Sequence, residues 1–178
     1  MDTPAAHNQG FRASDSDRTI FLERPPLEVP LNLTAWVAPE KIVDWIDEAV
    51  SKLDPARAEV QAFSQLGPEQ RPRVLLTVLL FAYATEKLGS SEIFGACHSD
   101  PVLRQICEAK PPFPDELEHF RRKNRLLLES LLGDIFQRAV REKYLPASQL
   151  PPGLRDSLQK RAVDQINTAR HLSTLDGQ

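Results

Sequence analysis

Eleven consecutive residues, Val74 to Ala84 (VLLTVLLFAYA), carry no charged side chain. The run falls well short of the roughly 20 residues a helix needs to cross a bilayer, so it has to be buried inside protein. Pro68 and Pro72 precede it and Gly89 follows. A helix is therefore expected to start near one of the prolines, whose ring a first turn tolerates, and to run to about Leu88 before the glycine. Because such a helix is apolar almost all round, it needs neighbours on every side and belongs at the centre of a bundle.

The flanking sequence supplies those neighbours. Pro39 can occupy a first helical turn, and Ile42, Val43, Trp45, Ile46, Ala49, Val50 and Leu53 form one broad apolar stripe after it. Asp54-Pro55 opens a second helix carrying Ala58, Ala62, Phe63 and Leu66, which stops at Gly67. Downstream of the central helix, Ser90 or Ser91 is expected to cap a short helix through Ile93, Phe94 and Cys97. Ser99-Asp100-Pro101 then opens another through Val102, Leu103, Ile106 and Cys107.

Lys110-Pro-Pro-Phe-Pro is a rigid break. From Asp115 a single long helix is expected to about Tyr144, with Leu117, Phe120, Leu127, Leu128, Leu131, Ile135, Phe136 and Ala139 at 3/4 spacing. Its acidic start and basic end suit the helix dipole. A last helix carries Leu154, Leu158, Ala162, Ile166 and Ala169. No alternating strand pattern and no internal repeat interrupt this order. The expected architecture is all-α, a compact bundle of about six to seven helices. Residues 1–33 form an irregular N-terminal arm, 34–145 the helical domain, and 146–178 a helix that packs on it or mediates association.

Charge and cysteine content bound the function. Residues 1–69 hold 6 Lys/Arg against 12 Asp/Glu and residues 70–178 hold 16 against 13, so a balance of −6 meets one of +3 to give −3. Net acidity disfavours a general nucleic-acid binder but leaves a local basic face open. Two cysteines, Cys97 and Cys107, cannot build a disulfide scaffold or a four-cysteine zinc site, and with His98 and His119 they match no finger spacing. They read as small apolar core residues of a reducing, cytoplasmic compartment. No secretory leader, phosphate loop or nucleophile elbow is present. A non-enzymatic protein with no cofactor, no metal, no membrane contact and no small-molecule substrate is expected.

The densest charge feature is Arg121, Arg122, Lys123 and Arg125, four cations in five positions within FPDELEHFRRKNRLLLESLL. Glu118 and Arg122 stand four apart, as do Arg125 and Glu129. Exposed ion pairs worth about 0.3 to 0.5 kcal/mol each would account for the cluster as a solvated helix face. With Phe120 and Leu117 anchored in the core, the arginines are expected to face outward.

A second reading comes from the order of the elements. The segment from about Gln70 to Phe136 places an apolar helix before Ser90-Ser91-Glu92-Ile93, then Asp100 and Arg104, Pro111 and Pro112, and Leu117, Phe120, Arg121 and Arg122. This succession resembles the helical N-terminal domain of DDE-type insertion-sequence transposases, with Trp36, Leu53 and Gly67-Pro68 similar to the family's run-in. The resemblance implies a helix-turn-helix-like region that meets double-stranded DNA, with Arg104, Arg121, Arg122, Lys123 and Arg125 as the DNA-binding residues. It also implies a role in regulating transposition, as a partner of DNA, of a full-length transposase or of itself, and a nucleoid-associated place in the cytoplasm. Two departures qualify it. The threonine usual before the family's I-x-x-F-R-R is Glu116, whose carboxylate repels phosphate, and no RNase H-like domain follows the match to hold catalytic metals. The alternative is a helical protein-interaction or oligomerisation module, self-associating through the stripe Leu154, Leu158, Ala162, Ile166 and Ala169.

Overall fold

The computed structural model describes residues 29–53, 71–107, 110–144 and 153–176. A 3-10 turn at Leu33–Ala35 leads into α1 (Pro39–Ser51), α2 (Arg71–Ala84), α3 (Ser90–Ser99), α4 (Pro101–Cys107), α5 (Pro114–Lys123), α6 (Arg125–Lys143) and α7 (Leu154–Asp176). Among the described residues there is no strand; the fold is an all-helical bundle. The expected helix over Asp54 to Gly67, most of the N-terminal arm and the Pro146–Pro152 connection lie outside the described residues.

α2 is the hub. Every side chain from Leu75 to Thr85 is buried, and the helix touches α1, α4, α5 and α6. At its exposed start Arg73 meets Asp47 of α1 at 3.4 Å, so a carboxylate answers a cation placed against the helix dipole.

α2 ends at Ala84, four residues short of the expected Leu88, and without using Gly89. Glu86 adopts φ 68°. Its N–H donates to the carbonyl of Tyr83 (3.2 Å) and the N–H of Lys87 to that of Ala82 (2.8 Å). This pair of bonds is the Schellman termination, with a glutamate where glycine is usual. Gly89 instead precedes α3. There the Glu92 carboxylate accepts the N–H groups of Leu88 (3.1 Å) and Gly89 (3.4 Å), while Ser90, an expected cap, is buried within the helix. Asp100 caps α4 as its Asp-Pro signature implies, accepting from Val102 (2.9 Å) and Leu103 (3.3 Å).

The single long helix expected from Asp115 to Tyr144 is two helices. Asn124 leaves helical geometry at φ −114°, ψ 27°. Its backbone N–H and its Nδ2 both donate to the carbonyl of Phe120, at 3.0 and 2.9 Å. Its own carbonyl accepts from Leu128 at 3.0 Å and starts α6. An Asn side chain competes with the helical ladder for backbone partners, and here the buried Nδ2 shares the Phe120 carbonyl with the backbone N–H, so the helical bonds are kept while the chain bends at Asn124.

α7 lies along α6 in the most extensive helix pairing of the fold. Leu158, Ala162, Ile166 and Ala169 are buried, so the stripe expected to be available for self-association is covered within one chain. Gly133 permits the approach: a Cβ there would stand 2.1 Å from Gln159 Oε1. Gln159 Nε2 donates to the Glu129 carbonyl (3.0 Å), which stitches α7 to α6. Across the bundle, Glu48 of α1 accepts from Arg138 of α6 at 2.5 Å, and Lys41 pairs with Glu142. The Arg138 guanidinium also sits 5.2 Å from the centre of the Trp45 ring.

Candidate nucleic-acid and protein interface

The five basic residues read from the sequence do not form one face. Arg121 is 3 % exposed. The helical period already places it inward, because Arg121 follows Leu117 by four residues and Asn124 follows Phe120 by four, so both continue the apolar stripe of α5. Its guanidinium enters the space between α2 and α3, where Nη1 reaches Tyr83 Oη at 3.3 Å and Nη2 reaches Ser90 Oγ at 3.4 Å. The expectation that Arg121 faces outward is therefore corrected: the residue is a core cross-link. Burial pushes the Tyr83 hydroxyl above the ordinary tyrosine pKa, and the neighbouring Arg121 charge offsets part of that rise.

Arg125 opens α6 and is partly buried. Its Nε donates to Glu129 Oε1 at 2.6 Å, and Glu129 is itself buried. The expected Arg125–Glu129 pair forms, and it neutralises Arg125 as a phosphate ligand. Arg122 and Lys123 are exposed in the last turn of α5, where cations complement the helix dipole. No Glu118–Arg122 ion pair forms among the described residues. Arg104 is exposed on α4, in a depression lined by Cys97, His98, Pro101, Gln105, Cys107 and Pro111, with none of the α5 cations in it.

Both cysteines are buried, as small apolar core residues would be, and neither forms a disulfide. Among the described residues no group of three His, Cys, Asp or Glu side chains is placed to hold a metal ion. No helix of the described residues is long and apolar enough to cross a membrane.

An aromatic feature stands on the same side of the fold as Arg104. Phe113, in the proline-rich break before α5, is 67 % exposed. Its ring stacks on Phe94 of α3 with centroids 6.0 Å apart and an interplanar angle of 20°. Phe94 in turn meets the His98 ring edge-on at 4.7 Å, and His98 Nδ1 is held 2.8 Å from the Phe94 carbonyl. The sequence showed Phe94 only as a core candidate and Phe113 only as part of a rigid break. Three prolines around Phe113, at 111, 112 and 114, were the available signal, since they fix the backbone that presents the ring.

In comparisons with known proteins, no family model, no curated protein and no solved structure matches this chain.

Proposed function

We propose that the chain is a non-catalytic helical binding module whose partner surface is the α3–α5 side carrying Phe94, Phe113, His98 and Arg104. The observation that supports this is the stacked Phe94–Phe113 pair, with Phe113 two-thirds exposed in water on a proline-braced backbone. Pre-organised aromatic rings give contact area at low entropic cost, and such residues anchor protein interfaces. Arg104 and His98 share the neighbouring depression, so the fitting partner is a segment with an apolar anchor flanked by carboxylates. Selection from a displayed peptide library on the intact chain tests this. Enrichment of apolar-acidic peptides that disappears with Phe113→Ser is the expected result. No enrichment, or enrichment indifferent to that substitution, refutes it.

Duplex DNA binding, in the regulation of transposition that the family resemblance implies, is the second reading. It is favoured by the exposure of Arg104, Arg122 and Lys123. Withdrawal of Arg121 to the core and pairing of Arg125 with Glu129 leave three cations to meet phosphate. With about 0.9 in log–log slope per phosphate neutralised, the salt dependence of binding is then limited to about −3. A titration of duplexes across salt decides: a slope near −6 or steeper would show a basic surface larger than these three residues form.

A further inference from the structure

A groove lies between α1, α2 and α4, with a volume of about 620 Å³, within the usual range of a pocket that takes a ligand group. Its floor is apolar: Val43, Val74, Val102 and Ile106 line it and are only partly buried against the core. Its α1 wall is acidic. Glu40, Asp44 and Asp47 follow one another at helical spacing, so their carboxylates share that side of α1. Arg73 answers Asp47 at 3.4 Å, whereas Glu40 and Asp44 are exposed and have no partner among the described residues. An apolar slot with two open carboxylates on its rim is the complement of an apolar side chain flanked by cations.

The same chain carries that complement at the α5–α6 junction. Leu126 is 64 % exposed, the most exposed of the large aliphatic side chains among the described residues. Arg122 and Lys123 precede it by four and three positions, and helical hydrogen bonds continue on both sides of Asn124, so the two cations stand on the same side as Leu126. Both are exposed and neither has a partner among the described residues, while Arg125 in the same turn is held by Glu129.

We propose that the chain associates with a second copy of itself head to tail, the Leu126 edge of one copy seated in the α1–α2–α4 groove of the next. Leu126 covers the apolar floor, and Arg122 and Lys123 meet Glu40 and Asp44 on the rim. Knob and groove lie on different elements, so each contact leaves a free knob on one copy and a free groove on the other, which makes the contact heterologous. The α7 stripe takes no part, since α6 covers it within the chain.

Sedimentation velocity of the full chain over a wide range of concentration, at low and high salt, tests it. The unaltered chain should associate beyond a dimer, and high salt should weaken the association. Leu126→Ser removes the knob, and the double variant Glu40→Gln with Asp44→Lys spoils the rim. All three are exposed positions, so urea midpoints should stay near that of the unaltered chain while self-association weakens at least about tenfold in each variant. Mixed one to one, the two variants should recover an association that stops at a dimer, because the intact knob of one fits the intact groove of the other. A monomer at every concentration would overturn the proposal, as would association that ignores either variant or that the mixture fails to recover. An unaltered chain that stops at a dimer would overturn the head-to-tail arrangement.

Discussion

Replacing Arg121 with alanine separates a core arginine from a surface one. The side chain is 3 % exposed and spans from α5 to Tyr83 Oη at 3.3 Å and Ser90 Oγ at 3.4 Å. Truncation removes about two buried methylenes beyond Cβ at about 0.8 kcal/mol each, or about 1.6 kcal/mol. Two hydrogen bonds from a charged donor are lost as well. At these long distances about 1 kcal/mol each is a fair magnitude, and the two hydroxyls stay buried. The expected loss is about 3 to 4 kcal/mol, a fall in Tm on the order of 10 °C for a chain of this size. Arg122→Ala, one residue on and exposed, should change stability by no more than about 0.5 kcal/mol. Urea unfolding of both variants, with duplex binding measured in parallel, is the assay. If the two substitutions cost the same, or if Arg121→Ala weakens DNA binding without touching stability, the core assignment of Arg121 is wrong.

Glu86→Gly should stabilise the fold by about 1 kcal/mol, because Glu86 sits at φ 68° where a side chain is strained and glycine is not; urea midpoints measure it, and a loss of stability would count against the Schellman ending. Gly133→Ala pushes a Cβ to 2.1 Å from Gln159 Oε1, so the same change should be at least about 1 kcal/mol more favourable in a Gln159→Ala background, and an additive double-mutant cycle would deny the contact. Burial raises the Tyr83 pKa, which favours the protonated form in the fold. That contribution is complete below the ordinary tyrosine pKa of about 10 and is lost as pH rises through the folded value, so Tyr83→Phe should flatten the alkaline fall in stability. Glu48 is held below the usual carboxylate range by hydrogen bonds from Lys52 and Arg138. Its contribution is present above the unfolded carboxylate pKa and fades as pH falls through the lower folded one, a decline that Glu48→Gln should remove from the acid limb.

How far the sequence could be read depends on the range of the interaction involved. The start of α1 at Pro39 and the Asp100-Pro101 opening of α4 were legible because caps and first-turn prolines act over a few neighbouring residues. The end of α2 was not, since a glutamate took the left-handed position and the visible glycine was spent on the next helix. The break at Asn124 carried a local hint in a weak helix former. The apolar stripe skips one position there and resumes in phase at Leu127, seven residues after Phe120, and so periodicity alone joined α5 to α6.

The candidate site was less legible than the fold. The Arg125–Glu129 pair follows from i,i+4 spacing, yet the spacing does not reveal that Glu129 is buried and holds the partly exposed Arg125 to itself. The Phe94–Phe113 stack joins residues from separate elements, and nothing near either residue specifies the other.

By itself, then, the chain's pattern determined an all-helical bundle around Leu75 to Thr85 and two buried cysteines, because hydrophobic period and capping chemistry are properties of adjacent residues. Only the tertiary structure decided that Arg121 belongs to the core and that the α7 stripe is spent on α6. A polar side chain at the margin of an apolar stripe goes inward or outward according to the partners that distant elements bring to it. For Arg121 those partners are Tyr83 and Ser90, which lie 38 and 31 residues away in the chain.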